Sequence, residues 1–161
     1  MDTVVDPSDT YQPRGLTFEA FAPGRCFVTA ARTVTEADVV NFAGLSGDFN
    51  PLHTDATCAA ATPFGERIAH GMLVAAIATG LANQLGVFEG TTLALLEQQI
   101  QYRGPVRLGD TVRLALTVAD QRALSKPDRG LVVLDTAVRN QRGEVVIDGQ
   151  WRLMIRRNGC G

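Results

Sequence analysis

Hydrophobic positions along this chain fall into alternating runs, one short amphipathic run and one nearly continuous apolar stretch. From Cys26 to Val34, Cys26, Val28, Ala30 and Arg32 alternate with Phe27, Thr29 and Ala31, which predicts a strand. Thr35 followed by Asp38 approximates a capping box, and Val39, Phe42 and Ala43 then share one face at helical spacing. That helix must stop near Gly44–Gly47. A short helix over Asp55–Ala61 is expected next, broken by Thr62, Pro63 and Gly65. His70–Leu85 has few polar positions and many small ones (Gly71, Ala75, Ala76, Ala78, Gly80, Ala82). A helix apolar nearly all round is a buried one, and small side chains let neighbouring backbone approach closely. Its expected place is inside the curve of a sheet.

The remaining pattern is β. Thr92–Tyr102 is a candidate strand, although Leu93–Gln99 alone also fits a helix. Val112–Val118 alternates, Leu131–Arg139 is rich in Val and Leu, and Asn140–Gly143 reads as a turn. From Val145 to Arg156 the odd positions are Val145, Ile147, Gly149, Trp151, Leu153 and Ile155, a long strand with one buried face. Gly149 within it suggests a bulge or bend. Strand, helix, loop, buried helix and four strands give an α+β architecture, an antiparallel sheet with helix on one face.

Length and composition fit this picture. A chain of 161 residues suits a single domain over residues 16–157, with an N-terminal arm over 1–15 (loose, or wrapped in extended form) and a short tail over 158–161. Residues that are 45% hydrophobic and 20% charged describe an ordinary globular protein. A formal charge of -2 gives no reason to expect nucleic acid or a membrane surface as partner. Residues 1–80 hold 4 Lys/Arg against 9 Asp/Glu, whereas 81–161 hold 11 against 8, so the second half is the mildly basic one. Cys26, Cys58 and Cys160 have neither disulfide nor zinc spacing. Met1–Thr10 is acidic and unlike a signal peptide, and the longest apolar stretch is shorter than the roughly 18 residues of a membrane helix. A cytoplasmic, reduced protein is expected.

Candidate chemistry concentrates in Ser46-Gly47-Asp48-Phe49-Asn50-Pro51-Leu52-His53. Pro51 forces an extended step at Asn50 and so pins the loop. Asp48 and His53 offer a carboxylate and an imidazole, groups suited to proton transfer once burial adjusts them. Such a pair taken alone is more often structural than catalytic, Asn50-Pro51 alone is an ordinary turn, and His70 alone is a helix-entry residue. The conjunction argues for a site: an acid, an Asn-Pro constraint and a His within eight residues, shortly before a buried helix that opens His70-Gly71. Gly71 N–H, at a helix N-terminus and with no side chain in the way, is the natural donor to a developing oxyanion. Asn50, Ser46 and His70 are supporting candidates. No metal site is expected, since nothing fixes a geometry for Asp48, His53 and His70. Gly44-Leu45-Ser46-Gly47-Asp48 misses the nucleophile elbow of serine hydrolases at its last position.

The run Phe42-Ala43-Gly44-Leu45-Ser46-Gly47-Asp48-Phe49-Asn50-Pro51-Leu52-His53 resembles the signature of the MaoC-like, or (R)-specific, enoyl-CoA hydratases. Phe64-Gly65-Glu66-Arg67-Ile68-Ala69-His70-Gly71-Met72-Leu73 also looks like that family, and the resemblance covers roughly Leu16–Arg156. It implies a single hotdog fold, a long central helix wrapped by an antiparallel β-sheet. It implies water addition to a 2-enoyl-CoA, or removal from a 3-hydroxyacyl-CoA, with (R) stereochemistry. Asp48 and His53 would be the catalytic pair, with Gly71 N–H on the thioester oxygen. The resemblance further implies a homodimer or dimer of dimers and no cofactor, coenzyme A being part of the substrate. One departure is plain: some members carry a Ser early in the central helix, where this chain reads Val74-Ala75-Ala76, with Thr79 the nearest hydroxyl. Arg103, Arg107, Arg129 and Arg152 are candidates for the coenzyme A phosphates, and Phe49, Val74, Ile77 and Phe88 for the acyl pocket. The alternatives are a hotdog thioesterase, disfavoured because Gly71–Leu85 contains no Asp or Glu, and a non-catalytic acyl-CoA-binding subunit, disfavoured because acid and His are both present.

Overall fold

A computed structural model describes residues 11–159. After a 3-10 turn at Phe18–Ala20 come β1 (Cys26–Val28), β2 (Arg32–Thr33), α1 (Glu36–Ser46), α2 (Pro51–Thr54), α3 (Ala56–Ala60), α4 (Gly71–Gln84), β3 (Thr92–Tyr102), β4 (Thr111–Ala123), β5 (Arg129–Arg139) and β6 (Val145–Arg156). The strands form an antiparallel sheet in the order β1-β4-β5-β6-β3, with β2 also paired to β4. Helix α4 lies in its curve. Leu73, Val74, Ile77, Ala78 and Leu81 are buried in one core with Leu114 and Leu116 of β4, Val132 and Leu134 of β5, and Trp151, Leu153 and Ile155 of β6. This is the α+β arrangement expected from the pattern.

Local chemistry explains the boundaries. Thr35 and Asp38 form a full capping box: the Asp38 N–H donates to Thr35 Oγ1 at 3.3 Å and the Thr35 N–H donates to Asp38 Oδ2 at 2.8 Å. Gly47 ends α1 in the left-handed region at φ 76°. The predicted strand over Cys26–Val34 is in fact two short pieces. Val28 pairs with Ala115 but Arg32 with Val112, so the first strand holds one residue more than β4 over this stretch. At the break, Thr29 Oγ1 takes the Leu114 N–H at 3.0 Å, standing in for a backbone carbonyl.

Thr92–Tyr102 is a strand along its whole length, which excludes the helical alternative. Register runs unbroken through Gly149, so no bulge sits there. The glycine is instead required by close approach: a Cβ at 149 would overlap the Gln99 carbonyl oxygen and lie 2.8 Å from its carbon. Helix α4 is less enclosed than its composition suggested. One face packs on the sheet, but Met72, Ala76, Gly80 and Asn83 are exposed on the other, because the sheet wraps only one side.

Residues 11–15 take the wrapped form of the two expected for the arm. The Gly15 N–H donates to Glu89 O at 2.9 Å, and the Tyr11 hydroxyl and Arg14 guanidinium both reach the Glu89 carboxylate. The rest of the expected flexible arm, residues 1–10, lies outside the described residues, as do Cys160 and Gly161 of the tail. No helix among the described residues is long and apolar enough to cross a membrane.

Candidate active site

The segment between α1 and α2 is held by its own short side chains. Ser46 Oγ donates to Phe42 O at 2.7 Å and accepts the Asp48 N–H at 3.2 Å. Asp48 Oδ1 accepts the Asn50 N–H at 3.2 Å, and Asn50 Oδ1 caps α2 by accepting the Leu52 N–H at 3.1 Å. Pro51 fills the first position of that helix, where its missing N–H costs nothing. His53 therefore stands on a one-turn helix, and only Asp48 is in the loop. The expectation of both in one loop is corrected: Asn50 and Pro51 read as a turn in sequence but act here as cap and first residue.

Two histidines meet beside this loop. His53 Nδ1 lies 2.7 Å from the Ile68 carbonyl oxygen, which can only accept, so Nδ1 carries the proton and a neutral ring presents Nε2 as its lone pair. His70, 2% exposed, donates from Nε2 to the Asp48 carbonyl at 2.9 Å. Its buried Nδ1 has no hydrogen-bond partner among the described residues. The two rings lie 3.9 Å apart between centroids at 31°, and Phe42 packs on His70 from 5.0 Å. The Ile68 anchor is itself held, since neighbouring Arg67 makes a two-pronged pair with Glu36 of α1 at 2.9 and 2.5 Å. Hydrogen bonding to Arg67 keeps the Glu36 carboxyl below its ordinary value.

Titratable atoms of Asp48, His53 and His70 all lie within 4.8 Å of one another, close enough to raise the question of a metal. One nitrogen of each ring is already taken, His53 Nδ1 by the Ile68 carbonyl and His70 Nε2 by the Asp48 carbonyl, which leaves a single nitrogen on each. Asp48 and His53 open on a cleft of about 580 Å³ that Gly71, Met72, Tyr102 and Arg103 also line. Gly71 is the first residue of α4, so its N–H is among those with no acceptor inside the helix. A Cβ there would lie 2.5 Å from Tyr102 Cε1 and 2.9 Å from Cζ, so only glycine allows the Tyr102 ring its present seat. The arrangement combines a carboxylate, a lone-pair nitrogen and an outward backbone donor at one mouth. It can pass a proton to or from a water while a carbonyl oxygen is held.

Of the four candidate arginines, two are near this mouth. Arg103 lines the cleft and pairs with Asp148 at 3.0 Å; Arg107 pairs with Glu66 at 2.5 Å and reaches Phe64 O. Arg129 and Arg152 are elsewhere. The Arg103 N–H meets Val146 O at the start of β6, and Arg152, paired with Glu97, is six residues further on, about 20 Å at the usual strand rise. Arg129 pairs with Asp128 at the far end of β5, about 33 Å from Arg139 by the same measure. Strand direction separates what the basic half of the sequence seemed to collect. Among the acyl-pocket candidates, Phe49 is 62% exposed, Val74 and Ile77 are core, and Phe88 lines a separate cavity with Trp151 at the other end of α4. Sequence reasoning missed Tyr102 and Pro105 in the cleft wall, and no local signal marks either residue. It quoted Phe64 and Met72 within a motif without assigning them.

Comparison with known proteins sets this geometry in context. The model of a family described as a MaoC-like domain matches residues 19–139. An (R)-specific enoyl-CoA hydratase of Rhodospirillum rubrum is 36% identical over 143 residues, which is 88% of this chain and 93% of that protein. Protein MaoC of Klebsiella aerogenes is 35% identical over 147 residues, 91% of this chain, and the chain spans 41% of its length. A Mycobacterium tuberculosis protein described as having a double hotdog fold superposes with a TM-score of 0.81 over 94% of this chain and 47% of its own; at 21% identity it speaks for the fold alone.

Proposed function

The chain belongs to the MaoC-like dehydratase family, and from that membership we propose that it adds water to a 2-enoyl-CoA thioester, or removes it from the 3-hydroxyacyl-CoA. The observation that carries the reading is the single cleft holding Asp48, His53 and the first N–H of α4. In hydration, water oxygen bonds to the β-carbon as Asp48 and His53 together take its proton. The displaced electron pair moves to the thioester oxygen, which the Gly71 N–H steadies. A proton then reaches the α-carbon from the same pair. The carboxylate and imidazole atoms lie within 4.8 Å of one another, so the two share the base and acid roles. His70 holds the Asp48 backbone, and Ser46 and Asn50 hold its loop. Every step uses only protein groups and substrate.

The (R) product follows from the names of the Rhodospirillum rubrum and Aeromonas caviae relatives. A homodimer would cover the exposed Met72–Asn83 face of α4 and the edge strand β3, where Leu93, Leu95 and Leu96 are exposed. The test is spectroscopic. With crotonyl-CoA, loss of the enoyl absorbance without release of thiol is expected. Thiol release would instead indicate a thioesterase, and inertness across a panel of acyl lengths a binding subunit; either result overturns the proposal.

A further inference from the structure

A carbonyl oxygen has two lone pairs, and the hydration chemistry above fills only one of them, with the Gly71 N–H. The cleft offers few other donors. Both histidines already spend their N–H groups on backbone carbonyls, His53 on Ile68 and His70 on Asp48. The Arg103 guanidinium is turned onto Asp148 and Gln101. The remaining side-chain donor on the cleft wall is the Tyr102 hydroxyl.

Tyr102 is the last residue of β3, and its ring lies on Gly71. The position of a Gly71 Cβ is 2.9 Å from Cζ, the carbon that bears the hydroxyl. The hydroxyl oxygen is thus within about 7 Å of the Gly71 nitrogen whatever the angles between them, and one oxygen accepting from two donors at ordinary length joins atoms up to about 6 Å apart. A small swing of the ring spans any difference, and at 52% exposed Tyr102 is not held by the core. Its present partner is a weak one: the hydroxyl donates to Met72 Sδ at 3.2 Å, and a thioether is a poor acceptor. The thioester oxygen is a better acceptor as a carbonyl and better still as it takes on charge, since hydrogen bonds to an ionised oxygen are about twice as strong as neutral ones. Exchanging Met72 for substrate therefore gains most in the transition state, which is the condition for raising kcat rather than tightening binding.

We propose that Tyr102 is a catalytic residue whose hydroxyl leaves Met72 and becomes the second donor, beside the Gly71 N–H, to the thioester oxygen of the substrate. The assignment rests on the hydratase reading and deepens it. The phenol keeps its proton throughout, and Asp48 and His53 alone move protons. The missing side chain at Gly71 then serves two ends: it bares the N–H and admits the ring that carries the other donor.

Two variants test this. Tyr102→Phe keeps the ring on Gly71 and deletes the donor, whereas Met72→Leu deletes the resting acceptor at similar bulk. With crotonyl-CoA, Tyr102→Phe is expected to lower kcat about 10²-fold, the lower figure for loss of one oxyanion donor, with KM little changed and Tm near that of the wild type. The second readout is the infrared carbonyl stretch of crotonyl-CoA, isotopically labelled at that carbon and bound to Asp48→Asn protein so that it is not consumed. Hydrogen bonding lowers this frequency. Adding Tyr102→Phe should raise it, and adding Met72→Leu should leave it unchanged or lower it further. Near-normal turnover in Tyr102→Phe, a carbonyl band that does not move, or a loss of turnover matched by a loss of folded protein would overturn the role. If Tyr102→Phe does not fold, the Met72→Leu band decides: a rise there means that the hydroxyl acts through Met72 and not on the substrate. Wild-type silence toward crotonyl-CoA would overturn the hydratase reading itself, whereas an active wild type with an indifferent Tyr102→Phe removes only Tyr102.

Discussion

His53 has two separable tasks, and a pair of substitutions divides them. Its Nδ1–H holds the Ile68 carbonyl at 2.7 Å, whereas Nε2 is free for proton transfer. An asparagine amide nitrogen sits about where imidazole Nδ1 does, so His53→Asn keeps the anchor and removes the lone pair. His53→Ala removes both. Loss of a general acid–base group lowers kcat by about 10²–10⁴, or roughly 2.7–5.4 kcal/mol of barrier. Both variants should show that loss when enoyl absorbance is followed with crotonyl-CoA. Their stabilities should differ. The alanine variant leaves a buried carbonyl without its donor, at a cost of about 1–3 kcal/mol beyond what the asparagine variant loses. For a chain of this size that is a gap of about 2–12 °C in Tm. The asparagine variant loses only the ring contact with His70, worth about 0.5–1.5 kcal/mol. If His53→Asn turns over within tenfold of wild type, His53 is not in the proton path. If the two variants melt together, the Ile68 bond is not an anchor.

Asp48→Asn keeps an acceptor for the Asn50 N–H, so kcat should fall about 10²–10⁴ with Tm nearly unchanged; near-normal turnover would remove Asp48 from the mechanism. Gly149→Ala must push β3 away from β6, and overpacking of this kind costs about 1–3 kcal/mol, so thermal melting should drop by about 2–12 °C; an unchanged Tm would refute the close approach. Burial pushes the Asp110 carboxyl up, but hydrogen bonds from Gln141, the Arg107 N–H and Arg142 outweigh it and hold the group below its ordinary value. Its stabilising contribution is therefore complete above the unfolded aspartate value of about 3.9 and disappears as pH falls through the lower folded value. Asp110→Asn should be less stable at neutral pH and show a flatter loss of Tm below about pH 4; an identical pH profile would refute the assignment.

Much of the site was legible because it is local in sequence. Ser46, Asp48, Asn50 and His53 fall in one short segment, and residue type and spacing there dictate caps and turns without reference to the rest of the chain. Gly71 was legible for a similar reason, as the small residue opening an apolar run. Tyr102 was not. It reaches Gly71 because β3 runs beside the start of α4, a contact between residues some thirty positions apart that leaves no periodic trace. The helical turn bearing His53 was also missed, since four residues are too few to show a period.

Alternation along β4 and β6, the apolar run of α4 and the capping box at Thr35 are properties of neighbouring residues, and they determined the α+β class and the order of its elements. Which arginines stand together was decided only in three dimensions. Arg103 and Arg107 of the β3–β4 connection meet Arg142 of the β5–β6 turn around one cavity, whereas Arg129 and Arg152 are carried away along β5 and β6. Side-chain period and turn chemistry are set over a few residues. Strand direction and sheet order are set by burial of the whole core, and these placed the charges.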